Sequence, residues 1–118
     1  MDWLTDEEEC VRINAREMSH LWSVLADWTE SEDEEIWKQH VPVFSEIIAR
    51  WDAQGYVEVY SGPEWPAHER GHRVAGAELT ALLADPDTWT YHEDPDRVTT
   101  LLSTMASLQI SLPPEARG

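Results

Sequence analysis

His68-Glu69-Arg70-Gly71-His72 carries the spacing H-E-x-x-H. On a helix, two imidazoles at that spacing stand one turn apart and can hold Zn²⁺, while the carboxylate between them polarises a bound water as general base. Read this way, His68 and His72 are ligands and Glu69 is the base of a minimal zinc-dependent hydrolase. The surroundings argue against it. Pro63 and Pro66 stand just before the motif, Arg70 lies inside it, and Gly71 weakens any helix through it. A third ligand is also needed. The extended three-histidine signature would put glycine at 75 and histidine at 78, where this chain has Ala75 and Glu78. Glu78, His92, Glu93 and Asp94 are the other donors nearby in sequence. The expectation is a polar loop, with no catalytic residue, metal or cofactor assigned.

Other reactive side chains are sparse. Cys10 is the only cysteine, so no intramolecular disulfide can form, and a reducing cytoplasm is the expected compartment. Its neighbours Glu8 and Glu9 should raise the thiol pKa, away from nucleophilic reactivity. Gly76 stands alone rather than in a phosphate-cradling loop, and no serine sits in a nucleophile elbow. His20 and His40 read as surface or partly buried polar residues, and His92 beside Glu93 and Asp94 as at most a weak cation contact.

Charge is the stronger signal. The chain has 118 residues, 24 acidic against 8 basic side chains, and a formal net charge of −16. So few cations disfavour contacts to phosphates, and an anionic membrane surface would repel the chain. Twelve acids and two bases fall in residues 1–35, net −10. Two runs dominate there: Asp6-Glu7-Glu8-Glu9 and Glu30-Ser31-Glu32-Asp33-Glu34-Glu35. One reading makes both runs solvated helix starts, where carboxylates favour the positive end of the helix dipole. The other makes Glu7, Glu8, Glu9, Glu32, Asp33, Glu34 and Glu35 a surface for a basic protein partner. Hydrophobic residues make up 42% of the chain and seven residues are tryptophan, so a packed core is expected rather than disorder. Trp22, Trp28, Trp37 and Trp51 fall on or near apolar stripes. Trp3, Trp65 and Trp89 are flanked by polar or turn residues and are the candidates for exposed anchors, with Trp65 between two prolines the first choice.

The elements that must position these residues follow from periodicity and punctuation. Thr5 and Glu8 form a capping-box pattern opening a helix expected to run to about Trp28, with Val11, Ala15, Met18, Trp22, Leu25 and Trp28 as its stripe. Ser31 and Glu34 repeat the pattern for a short helix through Trp37. Pro42 suits the first residue of the next helix, whose stripe is Val43, Phe44, Ile47, Ile48 and Trp51 and whose left-handed stop is Gly55. Tyr56 to Tyr60 is a strand, and residues 61–73, punctuated by Gly62, Pro63, Pro66 and Gly71, read as a long loop. A helix from about Gly76 halts at Asp85-Pro86, and a turn-rich stretch leads through Trp89 and Tyr91 to Asp94-Pro95-Asp96. Residues 97–104 fit either helical spacing or a strand. The strand is preferred, because an isolated strand at 56–60 has nowhere to place its hydrogen bonds. The stretch Met1 to Glu9 has neither the basic nor the apolar region expected of a signal peptide, and the uncharged stretch from Val98 to Pro114 is too polar and short to span a bilayer.

Three helices, the junction "ARWDAQGYVEVY", a loop and a returning strand resemble a winged helix-turn-helix domain over about residues 6–104. The segments "GYVEVYSG" and "AELTALLADPDTW" are also similar to stretches of small uncharacterised acidic bacterial proteins of this layout, which carry no function across. The resemblance implies that the helix at 42–54 corresponds to a recognition helix and the hairpin from Tyr56 to a wing. The helix expected at 76–84 departs from it, standing where a simple wing has only a tip. Residues 42–54 offer Arg50 and Gln54 against Glu46 and Asp52, net −1, a poor match to a DNA groove.

The expected architecture is α+β: a helical N-terminal half followed by a small antiparallel β-hairpin or wing with an inserted helix, winged-helix-like. It forms one domain over 1–111 with a flexible tail at 112–118. The leading function is a non-catalytic protein–protein interaction or regulatory module, an immunity-type inhibitor or a mimic of DNA's charge, with a basic protein as partner and a homodimer as a further arrangement. The alternatives are the zinc hydrolase on His68, Glu69 and His72, and a DNA-binding transcriptional regulator.

Overall fold

The computed structural model describes residues 4–93 and 97–107. In chain order the elements are α1 (Asp6–Arg16), α2 (Leu21–Thr29), α3 (Glu34–Lys38), α4 (Val41–Ala53), β1 (Val57–Gly62), α5 (Ala67–Arg70), β2 (His72–Val74), α6 (Gly76–Ala84), a 3-10 turn (Pro86–Trp89) and β3 (Val98–Ser103). The fold is α+β, a helical N-terminal half followed by an antiparallel three-stranded sheet of order β2-β1-β3 with α6 inserted before its last strand. Among the described residues no helix is long and apolar enough to cross a membrane. Trp3, the turn at 94–96, the domain end at 111 and the tail at 112–118 lie outside the described residues.

The expected single helix to Trp28 is broken. α1 starts as anticipated: the Thr5 hydroxyl accepts from the Glu8 N–H at 3.1 Å, and the Glu8 carboxylate accepts from the Thr5 N–H at 2.9 Å. It ends at Arg16, where the Ser19 N–H reaches the Asn14 carbonyl at 3.0 Å and the Met18 N–H reaches Ala15 at 3.3 Å. Met18 takes the left-handed conformation this closure requires, φ 56°. α4 closes identically, with Gly55 at φ 82° and bonds from Gly55 to Asp52 (3.1 Å) and from Tyr56 to Trp51 (2.9 Å). The second closure uses the usual glycine and the first does not, so only one was visible in sequence. The chain after the break runs along the outer edge of β3, where the Leu101 N–H donates to the Ser19 carbonyl at 2.9 Å and His20 bridges Thr100.

The short helix α3 is capped by Asp33, not Ser31. The Asp33 carboxylate accepts from the Glu35 N–H, and the Ser31 hydroxyl accepts from the Asp33 N–H, each at 3.0 Å. Pro42 occupies the first turn of α4, one residue in from its start.

β1 pairs with β3 from Val57↔Ser103 to Gly62↔Val98, the pairing expected for 97–104. The stretch 61–73 is not a loop throughout: β1 continues to Gly62, α5 follows, and β2 pairs with β1 through Val59↔Val74, Tyr60↔Arg73 and Ser61↔His72. Two glycines permit this. A Cβ on Gly71 would lie 2.0 Å from the Ser61 carbonyl oxygen, and one on Gly62 would lie 2.9 Å from that of Ala67.

One face of the sheet carries Val57, Val59 and Leu101 into a core with Val11, Leu21, Val24, Leu25, Phe44 and Ile48, all fully buried. Each such side chain contributes about 1.5–3 kcal/mol by leaving water. Leu79 and Leu83 of α6 extend this core. Trp89, a candidate exposed anchor, is buried instead, its indole N–H donating to the Leu83 carbonyl at 2.9 Å. α5 covers the other face: the Ala67 N–H donates to the Thr100 hydroxyl at 3.1 Å, and the His68 ring meets Tyr60 edge-on at 6.0 Å.

Candidate functional site

The H-E-x-x-H residues do not share a helix. α5 ends at Arg70, Gly71 is extended (φ −110°, ψ −159°), and His72 begins β2. His68 lies against Tyr60, while His72 is the register partner of Ser61, whose side chain leaves β1 on the opposite face. The two imidazoles are thus directed to opposite sides of the sheet. His68 Nδ1 is buried with no hydrogen-bond partner among the described residues, Glu69 is exposed, and His72 Nε2 lies 3.2 Å from Glu78 Oε2. Among the described residues no three His, Cys, Asp or Glu side chains are grouped to hold a metal ion. Gly71, which weakened the motif as a helix, is explained by the close approach of α5 to β1.

The acidic runs are partly committed to the fold. Burial opposes the charge on Glu8, but the Thr5 N–H and the Arg50 guanidinium at 3.1 Å hold its pKa below the usual carboxylate range. Glu9 is paired with Arg12, which likewise lowers its pKa. Asp33 caps α3, and Glu35 pairs with Lys38 at 3.0 Å. Glu7, Glu32 and Glu34 are the expected partner-binding carboxylates with neither a side-chain hydrogen bond nor an ion pair among the described residues. Cys10 is buried, and burial followed by the Asp27 carboxylate pushes its thiol up to about 11. The expected direction holds, but the charge responsible comes from α2 rather than from Glu8 and Glu9.

The cations are similarly committed. Arg50, on the outer side of α4, is held by Glu46 at 3.0 Å and by Glu8. Arg73 pairs with Asp52 at 3.1 Å and Glu58 at 3.6 Å, and Arg70 with Glu64 at 3.0 Å. With Arg12 and Lys38, five of the seven described basic side chains lie against carboxylates.

Trp65 does what its position between prolines implied and stays 49% exposed. Its indole N–H donates to the Met18 carbonyl at 2.6 Å, so the left-handed turn after α1 anchors the ring. Trp65 lines an open cleft of about 400 Å³ with residues from the α1–α2 connector, the stretch after α6 and the start of β3. Trp22 lines the cleft as well. It stacks on His20 (5.5 Å between centroids, 11° between planes) and on Trp37 (6.2 Å, 12°), and meets Tyr91 edge-on (5.0 Å, 75°). Tyr91 is 50% exposed. Burial lowers the His20 pKa, favouring its neutral form. Glu64, Asp87 and Glu93 set three carboxylates around the cleft against Arg97. Sequence reasoning found Trp65 but assigned Trp22 to core packing and Tyr91 to a turn. The break after α1, which turns His20 and Trp22 toward Tyr91, carries no glycine to signal it.

The chain matches no family model, no curated protein and no solved structure.

Proposed function

We propose that this chain is a non-catalytic interaction module of winged-helix-like build that binds a basic protein partner through its acidic surface. The build is supported by element order. α1, a connector bridged to β3, α2, α4, β1 and β3 occur in that order, with the short α3 between α2 and α4, and β3 lies between the connector and β1. The α5–β2–α6 segment is then an elaborated wing.

The observation that carries the functional reading is the state of Arg50. On the helix corresponding to a recognition helix, this guanidinium is already clasped by Glu46 and Glu8. Contact with a phosphate would require giving up two carboxylates while a net charge of −16 repels the duplex. The same field attracts a basic protein and accelerates its encounter. Glu7, Glu32 and Glu34, uncommitted to caps or pairs among the described residues, are the carboxylates through which that attraction would be felt.

The test compares wild type with the Glu7→Gln/Glu32→Gln/Glu34→Gln variant by fluorescence anisotropy, using a labelled octa-arginine peptide and a labelled random duplex. Peptide binding should weaken in the variant and fall between about 50 mM and about 500 mM salt, while the duplex stays unbound at both. Duplex binding at low salt, or peptide binding indifferent to the variant, would overturn the proposal.

A further inference from the structure

We infer that the cleft beside Trp65 binds a single arginine side chain presented by the partner, an assignment that rests on the proposed preference for a basic protein. Two large aromatic side chains, Trp65 and Tyr91, are each about half exposed around one hollow. Aromatic surface left uncovered at a concave site is the common form of an interface anchor point. A guanidinium suits these walls. It is planar and weakly hydrated, stacks on aromatic faces, and offers a fork of donors to carboxylates. Asp87 and Glu93 line the cleft and can receive that fork, whereas Glu64 already holds Arg70. Arg97 lines the same cleft and opposes a cation, but among the described residues Asp87 and Glu93, neither held by an ion pair, outnumber it. His20, neutral near pH 7, adds a ring without adding repulsion.

The walls are also preorganised. The Trp65 indole is tied to Met18, and Pro63 and Pro66 restrict the backbone on either side. Tyr91 is packed edge-on against Trp22, which is itself stacked on His20 and Trp37. Ordering these rings is therefore largely complete before a ligand arrives, which removes one of the costs of binding.

The measurement follows the tryptophan indole N–H resonances of ¹⁵N-labelled protein during titration with acetyl-Gly-Arg-Gly-amide, its lysine counterpart and its neutral citrulline counterpart. The arginine peptide should shift the Trp65 resonance saturably, the lysine peptide should bind more weakly, and the citrulline peptide should leave the resonance in place. Tyr91→Ala and Asp87→Asn should each weaken the arginine peptide about fivefold, the effect of losing about 1 kcal/mol of cation–π or ionic contact. Unchanged remaining indole resonances verify that these variants are folded. Glu46→Gln removes an exposed carboxylate of α4 outside the cleft and should leave binding within twofold of wild type. A citrulline peptide that shifts Trp65 equally, or a lysine peptide that binds as tightly as arginine, would overturn the assignment. So would wall variants that bind like wild type while Glu46→Gln loses the peptide, although that result would leave the wider acidic-surface reading standing. Cleft binding that survives in a protein whose octa-arginine affinity ignores the acidic runs would instead preserve the cleft and remove the wider reading.

Discussion

Glu8 serves the start of α1 and the packing of α4 at once. Its carboxylate accepts the Thr5 N–H at 2.9 Å and the Arg50 guanidinium at 3.1 Å, with the side chain only 13% exposed. The first contact was legible in sequence, because a capping box is a local pattern spanning four residues, here Thr5 to Glu8. The second was not, since 42 positions separate Glu8 from Arg50 and no local rule relates them. A carboxylate whose pKa is lowered by folding contributes stability above its unfolded value, ordinarily 4.5, and loses that contribution as pH falls through the lower folded value. Glu8→Gln keeps the capping acceptor and removes the charge. Its expected cost is about 1 kcal/mol at neutral pH, shrinking as pH falls below 4.5 and through the lower folded value, where wild-type Glu8 itself becomes neutral. Urea unfolding of both proteins across that range checks the prediction. An equal cost at both ends would assign the effect to shape rather than to the ion pair.

Among the elements, those with long periodic stripes or glycine stops appeared where expected: the core of α4, its end at Gly55, and α6 up to Asp85. The unforeseen ones are short or end without the customary residue. β2 has three residues and α5 four, too few for alternation or a helical stripe to register, and both follow from Gly62 and Gly71 allowing two backbones to touch. The break after α1 was hidden because its stripe continues in phase into α2, with Val11, Ala15 and Leu25 all buried. Met18 holds the position that glycine holds after α4, and a side chain in the left-handed region costs about 1–2 kcal/mol. Met18→Gly should relieve that cost, offset partly by lost side-chain contacts and a more flexible unfolded chain, for a net gain of about 0.5 kcal/mol. Met18→Val, β-branched, should lose more than about 1 kcal/mol. Thermal unfolding of the pair decides. Equal destabilisation by both would mean that the turn anchoring Trp65 is not left-handed in solution.

At the scale of the whole molecule, the total charge was legible and its pairing was not. In sequence the acidic runs read either as solvated helix starts or as a surface for a basic partner. Glu8, Glu9, Asp33 and Glu35 are caps or ion-pair partners, and the cations they and other carboxylates hold are withdrawn from any anion. Two opposing effects then set how salt acts on the fold. Screening weakens the ion pairs, but exposed pairs such as Arg70–Glu64 and Lys38–Glu35 contribute only about 0–1 kcal/mol each. Screening also relieves the self-repulsion of a chain at −16, which acts among all its uncompensated carboxylates together. The second effect should prevail, so the melting temperature should rise between about 10 mM and about 500 mM sodium chloride. Over the same interval the affinity for a basic peptide should fall, because the repulsion that salt removes from the fold and the attraction it removes from the complex arise from one field. Calorimetry and anisotropy on the same samples test both signs. A melting temperature that falls with salt would mean that local pairs outweigh the global excess, and the acidic surface would then lack the field on which the proposed recognition depends.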